Sequence, residues 1–445
     1  MRRTTAAFFS ILLVVSMIIF QVPAAADEAI LPKSLTPRLS ADRNALYNGV
    51  SLLAVVVDPN PSTLRRIPAP AGVSDQPEEA TASFSITYIP NGGTDPWGEP
   101  CYTFPEEAKA AFNAAANIWA NTLNSNVPIT INAWWADLGS VSTLGYSGGG
   151  PLRRDFTGAT QSNTWYSGSL ANALNGSDLD PASFDMHITY NRNFSWYYGT
   201  DGNPPLSQYD LMTVVLHEIC HGLNFSGSMN LGSWGYGTGY PNIYDVFMRD
   251  GSGTQLIDTS SYPNPSIALA NALRSDNIWF HGSQAMAANG NQRVKMYAPP
   301  TWRSGSSYSH LDYNTFNNTS NHLMVYAVSA GESVHDPGVV TKGLLEDLGW
   351  QSSSTTCPTC SGGAVVLNGD AFPSGETCVC TGTTISLLNV TVQNTATANF
   401  TASTSITVGS GTTFENGSNA TLTSPSTTFQ PGSHVESGAV LNVGQ

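Results

Sequence analysis

Apolar positions along the chain change period several times, and each change predicts an element. Phe84, Ile86 and Tyr88 alternate with polar residues, as in a half-buried strand, so a folded unit is expected to begin near Ala82. Pro105-Glu106-Glu107 then opens an Ala-rich stretch through Trp119 and Leu123. Proline in the first turn and carboxylates at the positive end predict a helix. Val127 to Trp135 and Met186 to Tyr190 return to β-branched, alternating character and predict further strands. From Leu211 to Leu223 nearly every position is apolar except Thr213, His217, Glu218, His221 and Gly222, which reads as a buried helix with Asp210 placed to cap it. Ser226 to Ser309 reads as a long irregular region. A final helix is expected from Gly338, stopped at Gly349 before Trp350. Strand, helix, strands and helix together make an α+β unit over residues 81–350.

The pattern changes again beyond Gln351. Residues 351–445 are rich in Ser, Thr, Gly and Asn, contain no Lys or Arg, and hold only Asp370, Glu376, Glu415 and Glu436 as acids. A repeat of about 21 residues aligns Thr407, Gly411, Glu415 and Gly417 with Thr428, Gly432, Glu436 and Gly438. That period predicts a small all-β domain of stacked β-coils, against the alternative of a low-complexity stalk. At the other end, Arg2 and Arg3, the apolar run Ala6 to Val22 and the stretch Ala24-Ala25-Ala26 have the layout of a secretory signal over residues 1–26. The run is short for a hydrocarbon core of about 30 Å, so export with no membrane span after cleavage is expected. Residues 27–80, rich in Pro, Ala and Ser, read as a propeptide or linker; they contain no Cys, so no thiolate from them can plug a metal.

Composition narrows the partners. A formal charge of −15 with only 17 Lys and Arg excludes nucleic acid as a natural partner, because affinity for phosphate backbones comes from cations. Six cysteines in an exported chain read first as disulfide formers, with Cys357, Cys360, Cys378 and Cys380 clustered and Cys101 and Cys220 alone.

The chemistry concentrates in His217-Glu218-Ile219-Cys220-His221, which spells H-E-x-x-H inside the buried helix. Residues four apart share a helix face, so both imidazoles can reach one Zn²⁺ at about 2.0–2.1 Å. Glu218 beside them is placed to take a proton from metal-activated water and return it to a leaving amine. Without a metal or partners, burying two imidazoles and a carboxylate on such a helix would cost heavily. The third ligand comes from His187, His281, His310, His322, His335 or His434, and spacing alone does not choose.

His217 to Phe225, His-Glu-Ile-Cys-His-Gly-Leu-Asn-Phe, resembles the metzincin zinc helix, and specifically the leishmanolysin-like branch. Ser309-His310-Leu311-Asp312, His322-Leu323-Met324 and Glu346-Asp347-Leu348-Gly349-Trp350 follow in the order that branch shows. The resemblance implies a zincin-like fold, His310 as third zinc ligand, and Met324 as the methionine under the metal. It also makes Tyr326 a candidate transition-state stabiliser, although packing would account for a tyrosine there. Asn224 stands where the family usually has the glycine that turns the chain back, and Asn tolerates that left-handed conformation. Gly227 excludes the compact ligand spacing.

These readings imply a secreted zinc endopeptidase acting on protein or peptide substrates, with the C-terminal domain as a cell-surface attachment or spacer. A non-catalytic zincin-like adhesion protein and a metal-dependent amidase acting on cell-wall substrates remain open alternatives. Asp178, Asp180 and Asp185 invite a calcium reading but lack the spacing of a known loop, so calcium stays unassigned. Trp134, Trp135, Trp196, Tyr197 and Tyr198 suit a cleft, with core packing as the default.

Overall fold

The computed structural model describes residues 53–61, 64–70, 82–230, 235–237, 239–352, 360–368, 371–372, 377–388, 390–393, 396–415 and 417–444. The expected signal sequence, most of residues 27–80 and the stretch around Cys357 lie outside them. The protein is a mixed α/β structure. Its first unit is built on a twisted sheet of strands β1 (Leu53–Val57), β2 (Phe84–Tyr88), β3 (Cys101–Tyr102), β4 (Ile129–Ala136), β5 (Thr143–Gly149), β6 (Met186–Asn191) and β7 (Ala327–Val328). Along the sheet the order is β7-β1-β5-β6-β4-β2, with β3 pairing antiparallel to β4. The pairs β2–β4, β4–β6 and β1–β7 are parallel, whereas β5 runs antiparallel to both neighbours.

Two helices cover one face. Helix α1 (Glu106–Thr122) begins after Pro105 at the N-cap, and its Ala108, Ala111, Ala115 and Ala116 are small enough to sit close to the layer beneath. Helix α3 (Leu211–Gly222) lies in the same core, with α2 (Gly168–Asn175) preceding it and α4 (Val339–Leu348) closing the unit. All twelve residues of α3 are buried, as its nearly continuous apolar sequence requires. Trp119 of α1 donates its indole N–H to the Leu216 carbonyl of α3 at 3.0 Å, which ties the two helices together.

Residues 226–309, read from sequence as irregular, contain a three-stranded antiparallel sheet of Met248–Asp250, Ile278–Phe280 and Val294–Met296 with short helices between. Elements of three to six residues carry too little periodicity to stand out in a sequence. Leu53–Val57, inside the stretch read as propeptide or linker, forms β1; its run of apolar residues lacks alternation because neighbours cover it on both sides.

The second unit is a parallel stack. Strands β8 (Ser361–Asn368), β9 (Thr377–Leu388), β10 (Thr397–Val408), β11 (Asn419–Thr423) and β12 (Val440–Gly444) pair in sequence order. A second ladder joins Ala371–Phe372, Thr391–Val392, Thr413–Phe414 and His434–Val435. Thr407 faces Thr428, and the Gly411 and Gly417 amides donate to the Gly432 and Gly438 carbonyls, the offset that the sequence repeat shows. Phe372, Phe400 and Phe414 fill the interior. A disulfide joins Cys360 to Cys380 on neighbouring coils, and Cys378 is also disulfide-bonded. Cys101 and Cys220 depart from the disulfide expectation: both are free, buried thiols packed as small apolar groups, one against Ala54, Trp134 and Tyr146 and the other inside α3.

Candidate metal centre

The centre starts from how α3 is held. Asp210 caps it by accepting from the Thr213 amide at 2.8 Å and the Thr213 hydroxyl at 2.6 Å. His335 Nε2 lies 2.8 Å from the same carboxylate, so this histidine is spent on the cap. At the other end Trp350 donates its indole N–H to the Leu223 carbonyl at 2.7 Å. The Gly-Trp that ends α4 thereby secures the last turn of α3. One helical turn apart on this rigid element, His217 and His221 present their Nε2 atoms 3.1 Å from each other.

The chain leaves α3 through Asn224, whose φ is 81°, the left-handed conformation expected at that position. Its Oδ1 accepts from the Ser167 amide at 2.6 Å and its Nδ2 donates to Asn242 Oδ1 at 2.7 Å. The side chain therefore adds two buried bonds that glycine could not make, and the turn delivers the Phe225 carbonyl to His221 Nδ1 at 2.8 Å. Asn224→Ala is expected to lower unfolding stability by about 2–4 kcal/mol, from left-handed strain plus an orphaned Ser167 amide. Asn224→Gly should fall between the two. Urea unfolding of the three proteins tests the order, and an Ala variant as stable as wild type would refute this account of the turn.

His310 returns from the far side of the 226–309 segment. Tyr308, two residues earlier, holds φ at 76°, a conformation bulky residues rarely adopt. Its hydroxyl donates to Asp245 at 2.9 Å, its carbonyl accepts from Tyr244, and Gly227 leaves room for its ring, where a Cβ would meet Tyr308 at 2.1 Å. This locked corner aims His310 inward: its Nε2 lies 3.1 Å from His217 Nε2 and 3.2 Å from His221 Nε2.

The outer nitrogens fix the chemistry of the inner ones. His217 Nδ1 faces the Leu323 carbonyl at 2.7 Å, His221 Nδ1 the Phe225 carbonyl, and His310 Nδ1 the Ser306 carbonyl at 2.7 Å. A carbonyl only accepts, so each Nδ1 carries the hydrogen and each Nε2 offers a lone pair. Burial keeps the rings neutral: it pushes His217 down to about 4 and holds His221 and His310 well below the usual histidine range. Three lone pairs so close repel unless a cation lies among them. Nitrogens held at ~2.0–2.1 Å around one tetrahedral ion stand roughly 3.3 Å apart, close to the spacing found. The triad can hold a metal ion, and the described residues contain no other cluster of three His, Cys, Asp or Glu side chains able to do so.

Glu218 completes the site. It is wholly buried; Oε1 accepts from the Val55 amide at 3.2 Å, and Oε2 has no hydrogen-bond partner among the described residues. Burial pushes its carboxyl up to about 8, against the pull of the nearby Ser147 hydroxyl and the Val55 amide. Glu218 follows His217 directly on α3, and a buried carboxylate oxygen with no hydrogen-bond partner among the described residues fits a site to which an ion and solvent would be added.

The other sequence candidates lie elsewhere or do other work. His322 sits 3.4 Å from Glu332 as a buried pair, and burial lowers His187, against Trp134, to about 4. His281 is an exposed histidine and His434 lies in the β-coil stack. Met324 is fully buried in the tight turn closed by the Val325 amide on the His322 carbonyl, next to the carbonyl that orients His217. Tyr326 stacks on Tyr297 at 4.4 Å and packs near Tyr313, which is a packing role. Asp180 pairs with Arg153, while Asp178 and Asp185 both accept from Asn172 Nδ2 and Asp185 also from Thr130; among the described residues the three form no metal-binding cluster. Trp135 and Trp196 pack in the core, as does Trp134 on the opposite sheet face. Val55 and the Ser147 strand were missed in the sequence because their contributions are a backbone amide and a single hydroxyl, neither of which leaves a motif.

Among family models, one described as SPBPB7E8-like matches residues 177–234, the stretch holding β6 and α3. No curated protein and no solved structure matches the chain.

Proposed function

We propose that this chain is an exported zinc endopeptidase of the leishmanolysin-like metzincin kind. The observation that carries the reading is the convergence of three neutral imidazole nitrogens, each locked by a backbone carbonyl, with the buried Glu218 next to His217 on the same helix. His217, His221 and His310 would hold the zinc, which supplies Lewis acidity towards water and a peptide carbonyl. Glu218 takes the proton from the attacking water and passes it to the departing amine, roles that suit a carboxyl raised towards neutral by burial. Leu323, Phe225 and Ser306 hold the three rings in the one tautomer that can ligate. A purely structural zinc site would close with a fourth protein ligand and needs no base, whereas among the described residues no fourth His, Cys, Asp or Glu joins the triad, which favours a catalytic role. Export is supported by the signal-like N-terminus and by the Cys360–Cys380 disulfide. No described helix is long and apolar enough to cross a membrane. The β-coil unit suits attachment or spacing.

Metal removal tests the reading. Dialysis against a strong chelator is expected to abolish hydrolysis of a mixed protein substrate, and about one equivalent of zinc should restore it. Purified protein that carries no zinc, or whose activity survives complete chelation, would overturn it.

A further inference from the structure

His217, Glu218 and His310 are completely buried and His221 is 4% exposed, so no polypeptide can reach this centre unless something moves. The element in the way is β1. It lies antiparallel to β5 on one side, Leu53 opposite Ser147 and Val55 opposite Gly145, and parallel to β7 on the other, Val56 opposite Ala327. Its amides alternate as those of an inserted strand do: Val56 donates to Tyr326 and Asp58 to Val328, whereas Val57 donates to Ser142. Between Val55 and Val56 the ladder with β5 slips, and the Val55 N–H goes to Glu218 Oε1 instead. A main-chain amide thus rests on the very carboxylate that the mechanism needs. The side chains follow a simple rule: Ala54 faces the Trp134–Tyr146 side and Val55 the α3 side, both fully buried. Leaving the gap would expose the edges of β5 and β7, two strands ready to accept any extended segment in the same directions.

We propose that β1 is the resident occupant of a peptide-binding channel bounded by β5 and β7, and that extended apolar segments of other proteins bind there only when β1 leaves. This rests on the peptidase reading and names its substrate class: extended chain with a small residue and then β-branched residues, the Ala54-Val55-Val56 chemistry. The chain carries its own competitor, whose tether gives it an effective concentration in the millimolar range. No thiol is involved, and the blockade works through backbone bonding and burial.

The test compares full-length wild type with the full-length double variant Val55→Pro, Val57→Pro, which removes the amides facing Glu218 and Ser142. The probe is a fluorescent peptide copying residues 53–58, read by anisotropy, alongside zinc content, thermal melting and proteolytic rate. The variant is expected to keep its zinc, bind the probe at least ~10-fold more tightly and digest protein at least ~10-fold faster. In wild type, saturating probe should raise hydrogen exchange at the amides of residues 54–58. Equal probe binding by the two zinc-loaded proteins overturns the proposal. So does a variant that loses zinc and unfolds while wild type shows no probe-dependent exchange, since β1 is then an ordinary core strand. Tighter probe binding with no proteolysis in either protein would keep the channel and refute the peptidase reading instead.

Discussion

Glu218→Ala is expected to retain zinc and lose proteolytic rate by ~10²–10⁴-fold, the usual worth of a positioned acid–base group. The reasoning is geometric. Glu218 is not among the converging nitrogens, so its removal leaves His217, His221 and His310 tied to their carbonyls. It also frees the Val55 amide, which alone would loosen β1 and raise activity, so a fall in rate would stand against that opposing effect. Glu218→Gln keeps the shape and an acceptor for Val55 but cannot take a proton, and should be as inactive. Zinc by elemental analysis and single-turnover peptide cleavage decide the matter; a zinc-loaded Glu218→Ala protein with wild-type turnover removes the proposed mechanism.

His310→Ala is expected to weaken zinc binding by about 3 kcal/mol, roughly a hundredfold, if four-ligand sites of ~10–16 kcal/mol divide evenly among their ligands. Two nitrogens of α3 would remain, with nothing opposite them. His322→Ala and His335→Ala make the contrast sharp. His335 holds the α3 cap through Asp210, and His322 pairs with Glu332, so these variants should lose stability while binding zinc within severalfold of wild type. Competition titration with a chromophoric chelator measures all three. Should His322→Ala lose the metal and His310→Ala keep it, the ligand set is wrong.

The parts of the centre that were legible in the sequence are those whose chemistry has a fixed spacing. His217 and His221 one turn apart, an apolar run around them and Asp210 before them specify a capped, buried helix without help from the rest of the chain. Asn224 was readable for a similar reason, since few residues tolerate a positive φ. His310 was reached only through resemblance, because its approach depends on Tyr308, Asp245 and Tyr244 meeting across residues distant in sequence. The three carbonyls that set the tautomers were invisible, as any residue type supplies a carbonyl. The coil repeat was readable from its period, since parallel stacking places like residues over like. β1 was not: five apolar residues surrounded by Pro and Ser offer no alternation, and only its two neighbours give the segment a structure.

The long gap between the second and third imidazoles has a bearing on maturation. His221 and His310 are 89 positions apart, and the ring of His310 is oriented from Ser306 within its own corner. A nascent chain that has formed only α3 offers a cation two donors and holds it loosely. Once the intervening small sheet and the Tyr308 corner have closed, the third donor arrives and the grip tightens. Capture of an ion by all three rings would thus report completion of the whole first unit, so on the peptidase reading a half-built chain stays inactive.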